Sequence, residues 1–557
     1  MSKKYTLGID YGSGSCRALL VDVISGAEID SVECPYPHGI MEETLLETGV
    51  QLPPDWAIQH PEDYLHCLKV VTKGVMEKTG VHAEDIIGVG VDFTACTILP
   101  IDKEGNPLTR QEEFREEPHV YVKKWKHHAA QKQADRLNAI ASERGEAFLD
   151  YYGGKVSSEW LAPKVMQILD ESPEVYEATD RFIEAGDWIV LKLTGEEKRS
   201  SCQAGYKGLW NKKMGYPSNE FFKALDERLD GFVDDKLSRD IYSLGDCAGY
   251  INEEGAALTG LKKGTAVAVA NIDAHVAVPA AGINKEGQML LIMGTSTCHM
   301  VVSKEEKIIP GIGGIVEDGI LPGMFGYEAG QACVGDHFNW FVKNCVPSKY
   351  MDEAKEKNMD IHQLLTDKAS KLKVGESGLL ALDWWNGNRS ILDDSDLTGL
   401  ILGCTLTTKP EEIYRALIEA TAYGTKVIID QFENNGILIN ELYASGGIAG
   451  KNALMMQTYA DVTGKEIRIC DSEQPVALGS CIFGAVAAGK EKGGYGSLEE
   501  AVDKMARLKD TVYRPIPANQ EIYNDLYAEY RILHDYFGQG ENNIMKKLKR
   551  IKLGQRS

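Results

Sequence analysis

No stretch of this chain stays apolar for the roughly 18 residues that a membrane-spanning helix needs. The opening MSKKYTLGID runs straight into an apolar segment, with neither a hydrophobic leader nor a small-residue cleavage site. A cytoplasmic protein is therefore expected, with no membrane among its partners. Positive charge is scarce: 60 Lys and Arg face 83 Asp and Glu, a formal net charge of −23. So acidic a surface repels a phosphate backbone, which argues against nucleic acid as a partner. Only the tail MKKLKRIKLGQR at 545–556 is basic, and it reads as a solvated terminal helix. Paired cysteines are lacking too. The twelve, scattered from Cys16 to Cys481, form no C-x-x-C pair and no Cys/His cluster, so neither a disulfide frame nor a zinc site is expected.

What is present is length and an internal repeat. A chain of 557 residues is too long for one hydrophobic core, so two or three domains are expected. GIDYGSGSCR at 8–17 interrupts two apolar runs with one acid, two further glycines and small polar residues. LLIMGTSTCHMVVS at 290–303 aligns with it without gaps at an offset of 282: Gly12 on Gly294, Ser13 on Thr295, Ser15 on Thr297, Cys16 on Cys298. Both copies read strand, small polar turn, strand. Asp10 has Ile292 as its counterpart, so only the first turn carries a carboxylate. Two similar lobes, each offering a hairpin turn, are expected.

The coarse pattern agrees. IIGVGVDFTACTILPID at 86–102 reads as a buried strand pair, between a helix at 61–78 and a long polar helix at 125–145; further helices fall at 159–170 and 173–179. GTAVAVANID at 264–273 is an apolar strand ending in an acid. Residues 410–432 have helical spacing behind Pro410, and 441–464 read strand, glycine turn, helix. Strands alternating with helices mean an α/β fold. The glycine-rich, polar stretch at 245–265 is the expected boundary, with a cleft between directly packed lobes.

Turns of Gly, Ser and Thr let a backbone approach phosphate oxygens and offer N–H and O–H donors. One such turn is as well explained as a plain hairpin; two matched turns favour phosphate. Asp10 at the strand end could hold Mg²⁺, a hard cation that takes oxygen ligands. Asp273 stands where an apolar strand yields to a helix, either as an N-cap or as a general base. Gly446 and Gly447 leave room for a flat ring or a phosphate against bare backbone, and Asn452 is a helix cap or an adenine contact. Asp92 repeats the strand-end logic. Lys207 and Glu328 are isolated charges in aromatic-glycine settings, as sugar sites use and as ordinary surfaces also show. His275 reads as structural.

Taken together these residues resemble the FGGY carbohydrate kinases, within the actin-like ATPase superfamily, from Thr6 to about Pro515. GIDYGSGSCR corresponds to that family's first phosphate motif, IMGTSTCHM to its second, NIDAH at 271–275 to its catalytic Asp, and ASGGIAGKNALMMQTYAD from Ala444 to its adenosine motif. Two positions depart from the family: Gln167 stands where Trp is usual, and Cys404 replaces an aliphatic residue. The resemblance implies two actin-like (ribonuclease H-like) ATPase lobes around an interdomain cleft: 1–262 with the sugar site and first phosphate turn, 263–515 with the ATP site and the base, and a helical tail at 516–557.

It further implies ATP-dependent phosphorylation of a pentulose, with xylulose, ribitol and glycerol as alternative substrates. Asp273 would take the proton of the sugar's terminal hydroxyl, and Asp10 would position Mg²⁺ through water. Gly12, Ser13 and Thr295 would hold phosphates, and Gly446, Gly447 and Asn452 would line the adenosine. Ala95, Lys207 and Glu328, with Asp273, fall where sugar is bound. The implied partners are the sugar and ATP, with a homodimer as the candidate assembly.

Overall fold

The computed structural model describes residues 3–554. In the first half, β1 (Tyr5–Tyr11), β2 (Ser15–Asp22) and β3 (Glu28–Pro35) form an antiparallel meander. β4 (Ile86–Phe93) lies parallel to β1 and is buried along its whole length, as its apolar run up to Asp92 requires. β5 (Cys247–Tyr250), β6 (Ala266–Ala268) and β7 (Asn271–Ile272) complete a seven-stranded sheet in the order β5-β6-β4-β1-β2-β3, with β7 also on β4. α1 (Pro61–Thr79) packs on it. Its start is set by the His60 cap and Pro61, and its end by Gly80 at φ 69, a left-handed cap that glycine adopts without strain.

The second half repeats the plan. β8 (Gln288–Met293), β9 (Thr297–Ser303), β10 (Ile315–Glu317), β11 (Phe325–Gln331), β12 (Glu441–Ser445), β13 (Glu466–Cys470) and β14 (Leu508–Tyr513) form a sheet ordered β10-β11-β9-β8-β12-β13-β14. In each sheet one antiparallel hairpin has a parallel strand against its first arm: β4 on β1, β12 on β8. The two matched turns are thus matched hairpins. They differ by one residue, because Tyr11 pairs with Cys16 whereas Met293 pairs with Thr297. The gap-free sequence alignment hides a tighter second turn.

Two expected elements come out differently. The run at 86–102 is not a strand pair: Ile98–Ile101 leaves the large sheet and joins a four-stranded sheet with Ile58–Gln59, Val122–Lys123 and Arg181–Glu184. The turn between, with Cys96 at φ 54, redirects the chain. The polar helix begins at Gln131 and not at Trp125, so the WKHH segment lies in a turn. The smaller sheet has its own core with α2 (Leu161–Glu171), and α3 (Ser201–Lys207) returns from it to the junction of the lobes.

That junction is built on α4 (Asp273–Ala280) and α8 (Pro475–Ala488), with α5 (Gly335–Cys345), α6 (Pro410–Asn434) and α7 (Ala453–Thr463) lying between them in sequence. α8 belongs to the second half yet lies on the first sheet. A Cβ on Gly8, Gly88 or Gly90 would overlap the carbonyl oxygens of Ala477, Gly484 and Ser480 respectively. These glycines on adjacent strands cut the groove in which α8 sits. Gly479 in turn leaves no room for a Cβ against the Val276 carbonyl of α4. A core shared by both halves results, with Leu19, Ile272, Val276, Leu290, Met300, Leu478 and Ile482 in it.

The division expected after residue 262 shifts accordingly: β6 and β7 both pair with β4, so the first sheet runs on to Ile272. The glycine-rich stretch at 245–265, expected as the boundary, lies within the first sheet. It holds β5 and a short helix capped by Asn252 and Gly260, an excursion between two strands of one sheet. Two helices, α9 (Pro517–Gly538) and α10 (Ile544–Lys552), form the tail. Among the described residues no helix is long and apolar enough to cross a membrane.

Candidate active site

Three strand ends bring carboxylates together. The register of the first sheet sets Asp10 on β1 beside Asp92 on β4, and Asp92 beside Asn271 on β7. Asp273 follows as the first residue of α4. It is not the N-cap, a position held by Ile272; its Oδ1 accepts only from the neighbouring Ala274 N–H, at 2.6 Å. Burial and then the charge of Asp10 push Asp273 up to about 7, against the Ala274 N–H and Lys124. Asp92 is fully buried, and burial followed by Asp10 holds it well above the ordinary carboxyl range. Ser480 Oγ on α8 donates to Asp92 Oδ2 at 2.6 Å, while Oδ1 has no partner. Burial also raises Asp10, opposed by Arg17, whose Nη1 lies 3.5 Å from Oδ2.

The all-oxygen donors of Asp10, Asp92 and Asp273 suit a hard divalent cation of the Mg²⁺ kind by type, but their oxygens do not converge closely enough to hold one directly without bridging water. Among the described residues, the one group whose possible ligand atoms lie within reach of a single metal ion is His38, His60 and Asp63. Its chemistry does not fit. Both oxygens of Asp63 are taken by His38, through N at 2.9 Å and Nδ1 at 2.7 Å. His60 Nδ1 accepts from Glu62 N, so its proton is on Nε2 and no lone pair is left there for a metal.

The two turns are open to solvent: Gly14, Gly294 and Thr295 are exposed, and Gly12 and Ser13 half-buried. Gly12 N donates to the Ser15 carbonyl at 3.0 Å and Gly294 N to the Ser296 carbonyl at 2.9 Å, which closes each turn. Ser13 is held from outside, its Oγ accepting from Trp125 Nε1 at 3.1 Å and its carbonyl from Gln59 Nε2 at 3.0 Å. The Thr295 carbonyl accepts from Val334 N at 2.8 Å, so α5 begins against the second turn. Beyond β12, Gly446 has φ 96 and would drive a Cβ into the Met293 carbonyl, whereas Gly447 faces open space. Asn452 caps α7, its Oδ1 accepting from Met455 N at 3.0 Å, which leaves its amide NH₂ free of that task.

Lys207 and Glu328 are not surface charges. Lys207 Nζ is 3.3 Å from Glu328 Oε2, the Arg389 guanidinium pairs with Glu328 Oε1, and His275 Nε2 is 3.6 Å away. Burial works against the Glu328 carboxylate, but Lys207 and Arg389 outweigh it and hold the group far below the usual range. Burial lowers His275 to about 4, so it meets Glu328 as a neutral ring tilted against Tyr206 at 4.2 Å. Ala95 is half-buried in the turn after β4, where the Thr94 and Thr97 hydroxyls pair at 2.9 Å. Gln167 has its reason in His127, whose Nε2 lies 2.8 Å from Gln167 Oε1 in the interior. Cys404 is exposed and touches none of this.

Sequence reasoning missed Arg389, Ser480 and Lys124. Arg389 sits in a polar loop and Ser480 in an apolar helix, with nothing local to mark either. Lys124 did leave a signal, a lysine pair at the end of the apolar run HVYVKKW.

Residues 5–279 match the N-terminal domain of the FGGY family of carbohydrate kinases, and residues 289–488 its C-terminal domain. The chain is 57% identical over 538 residues to the ribulokinase of Bacillus licheniformis, covering 97% of each chain. It is 55% identical to that of Geobacillus thermodenitrificans, covering 99% of this chain and 98% of the relative. Among solved structures it is similar to a xylulose kinase from Rhodospirillum rubrum, with a TM-score of 0.78 at 21% identity over 95% of this chain and 98% of that one. A Plasmodium falciparum glycerol kinase with ADP gives a TM-score of 0.74 at 16% identity, over 95% and 97%. At such identities the solved structures speak for the fold, two lobes around a cleft.

Proposed function

The chain belongs to the FGGY family of carbohydrate kinases, and on that premise we infer that it is an ATP-dependent ribulokinase. It phosphorylates the 5-hydroxyl of L-ribulose in the breakdown of L-arabinose. Full-length relatives of that name at 55–57% identity support the substrate. The observation that supports the chemistry is Asp273 at the start of α4, a carboxyl that burial and Asp10 push up to about 7, on the helix whose His275 lies 3.6 Å from Glu328.

Phosphoryl transfer passes through a loose transition state, so the protein's work is positioning and charge stabilisation. Lys207, Glu328 and Ala95 line the sugar, whose hydroxyls find one fixed anion and fixed cations. Asp273 accepts the proton of the terminal hydroxyl as its oxygen attacks the γ-phosphorus. A base with a pKa near the working pH serves best, because it is ionised before the step and still basic enough to take the proton. Gly12, Ser13 and Thr295 present donors to the phosphates from both lobes, and Gly446, Gly447 and Asn452 border the adenosine. Asp10 would hold Mg²⁺ through water; when bound, the ion neutralises phosphate charge. Closure of the lobes excludes water, the competing acceptor. A cytoplasmic homodimer completes the proposal, its assembly open to sedimentation analysis.

Coupled ADP release with Mg-ATP against L- and D-ribulose, L- and D-xylulose, ribitol, L-arabinitol and glycerol tests the function. The highest kcat/KM is expected on L-ribulose. A preference for xylulose or glycerol would retain the kinase and discard the substrate, and no stimulation by any of them would end the kinase reading.

A further inference from the structure

Lys124 is a fully buried cation with one hydrogen bond, Nζ donating to Thr94 Oγ1 at 2.8 Å. Its other two N–H donors find no acceptor among the described residues. A buried ammonium left so poorly matched is costly unless a ligand or a facing anion completes it. The position is also built, not incidental. Lys164 on α2, buried as well, donates to the Cys96 carbonyl at 2.6 Å and to the Lys124 carbonyl at 2.7 Å. It thereby ties the turn that carries Ala95 to the segment that carries Lys124. In that turn Cys96 sits at φ 54, a conformation that costs a non-glycine residue of order 1 kcal/mol and persists where surroundings enforce it.

The nearby anion is Asp273: Ile272 and Phe93 are register partners, so Asp273 and Thr94, the anchor of the ammonium, follow side by side, with no Lys124–Asp273 ion pair as short as 4.0 Å. Burial lowers Lys124 to about 7, and the Asp273 carboxylate is the charge that does most to restore the ammonium, against Lys164 and Lys126. Reciprocally, Lys124 is the cation that favours the Asp273 carboxylate, against Asp10 and Glu328. We propose that Lys124 is a positioning residue for phosphoryl transfer, an ammonium anchored on Thr94 that opposes Asp273 across the floor of the sugar site and keeps the carboxylate aimed at the acceptor hydroxyl. The inference rests on Asp273 being the base.

The test is steady-state kinetics of Lys124→Met and Lys124→Ala with L-ribulose and Mg-ATP. Lys124→Met should lose about 10²-fold in kcat, the size of one preorganised charged group, with KM for ATP unchanged. Ethylamine should restore part of the rate to Lys124→Ala, which a merely structural lysine would not allow. If those variants do not fold, Thr94→Val keeps the lysine and removes its anchor, and should lower kcat by about the 10-fold that one hydrogen bond to a charged group is worth. Wild-type kcat in Lys124→Met, or in Thr94→Val where the lysine variants cannot be made, overturns the proposal; so does an Ala variant that no amine rescues. An active Asp273→Asn enzyme would instead remove the base itself, so the two failures are told apart.

Discussion

Lys207 Nζ stands 3.3 Å from Glu328 Oε2 although 121 residues separate them and they come from different lobes. Lys207 ends α3, which returns from the insertion in the first half; Glu328 lies mid-strand on β11 of the second sheet. With Arg389 on its other oxygen, Glu328 has a cation at each of its two carboxylate oxygens. Removing one partner of such a pair leaves the others uncompensated. Glu328→Gln is expected to raise KM for sugar by roughly 10-fold or more, the value of a hydrogen bond to a charged group. KM for ATP should not change, and steady-state kinetics with both substrates varied decides it.

Asp273→Asn keeps the side chain's size and its acceptance of the Ala274 N–H but cannot take a proton. It should retain ATP binding, measured by calorimetry, and lose roughly 10²–10⁴-fold in kcat. Near-normal turnover would take Asp273 out of the mechanism.

Asp273 is pushed up to about 7 while Glu328 stays ionised far below it. The acid limb of kcat/KM therefore belongs to Asp273: below about pH 7 the rate should fall tenfold per unit as the carboxylate is protonated. Glu328→Gln should keep that limb. The same shift bears on stability. Because the folded value exceeds the unfolded one of 3.8, the stabilising contribution is fully present below 3.8 and lost as pH rises through about 7. At pH 8 Asp273→Asn should consequently be the more stable protein, by roughly 1 kcal/mol once solvent screening is allowed for. An equal or lower Tm for the variant at pH 8 contradicts this.

Asp10 is itself buried, and its Oδ2 lies a long 3.5 Å from Arg17 Nη1. Asp10→Ala should shift the Mg²⁺ titration of activity to higher concentration, with the sugar KM little affected. An unchanged titration assigns Asp10 a structural role.

Gly90→Ala probes the junction of the lobes. A methyl there overlaps the Ser480 carbonyl and would move α8, with it the Ser480–Asp92 hydrogen bond. Overpacking of this kind costs about 1–3 kcal/mol. Urea unfolding should show that loss, with activity falling as well; a wild-type urea midpoint would contradict it.

Much of this protein follows from its sequence alone, because the features concerned are local. The hairpin turns at 12–15 and 294–296 are set by apolar runs broken with small residues, and α6 by helical spacing behind Pro410. The strand-end acids Asp10, Asp92 and Asp273 could be picked out because an acid ending an apolar run has little else to do. The tertiary structure decided what depends on distant partners. Gly8, Gly88 and Gly90 look like ordinary strand glycines until a helix some 400 residues later fills the groove they leave. Lys207, Glu328 and Arg389 have the same local sequence whether exposed or paired, and only the packing of two sheets on α4 and α8 makes them one site. Lys124 is the limiting case: a lysine at a strand end is ordinarily solvated, and burial against Thr94, behind the turn that Lys164 holds, is what turns it into part of the chemistry.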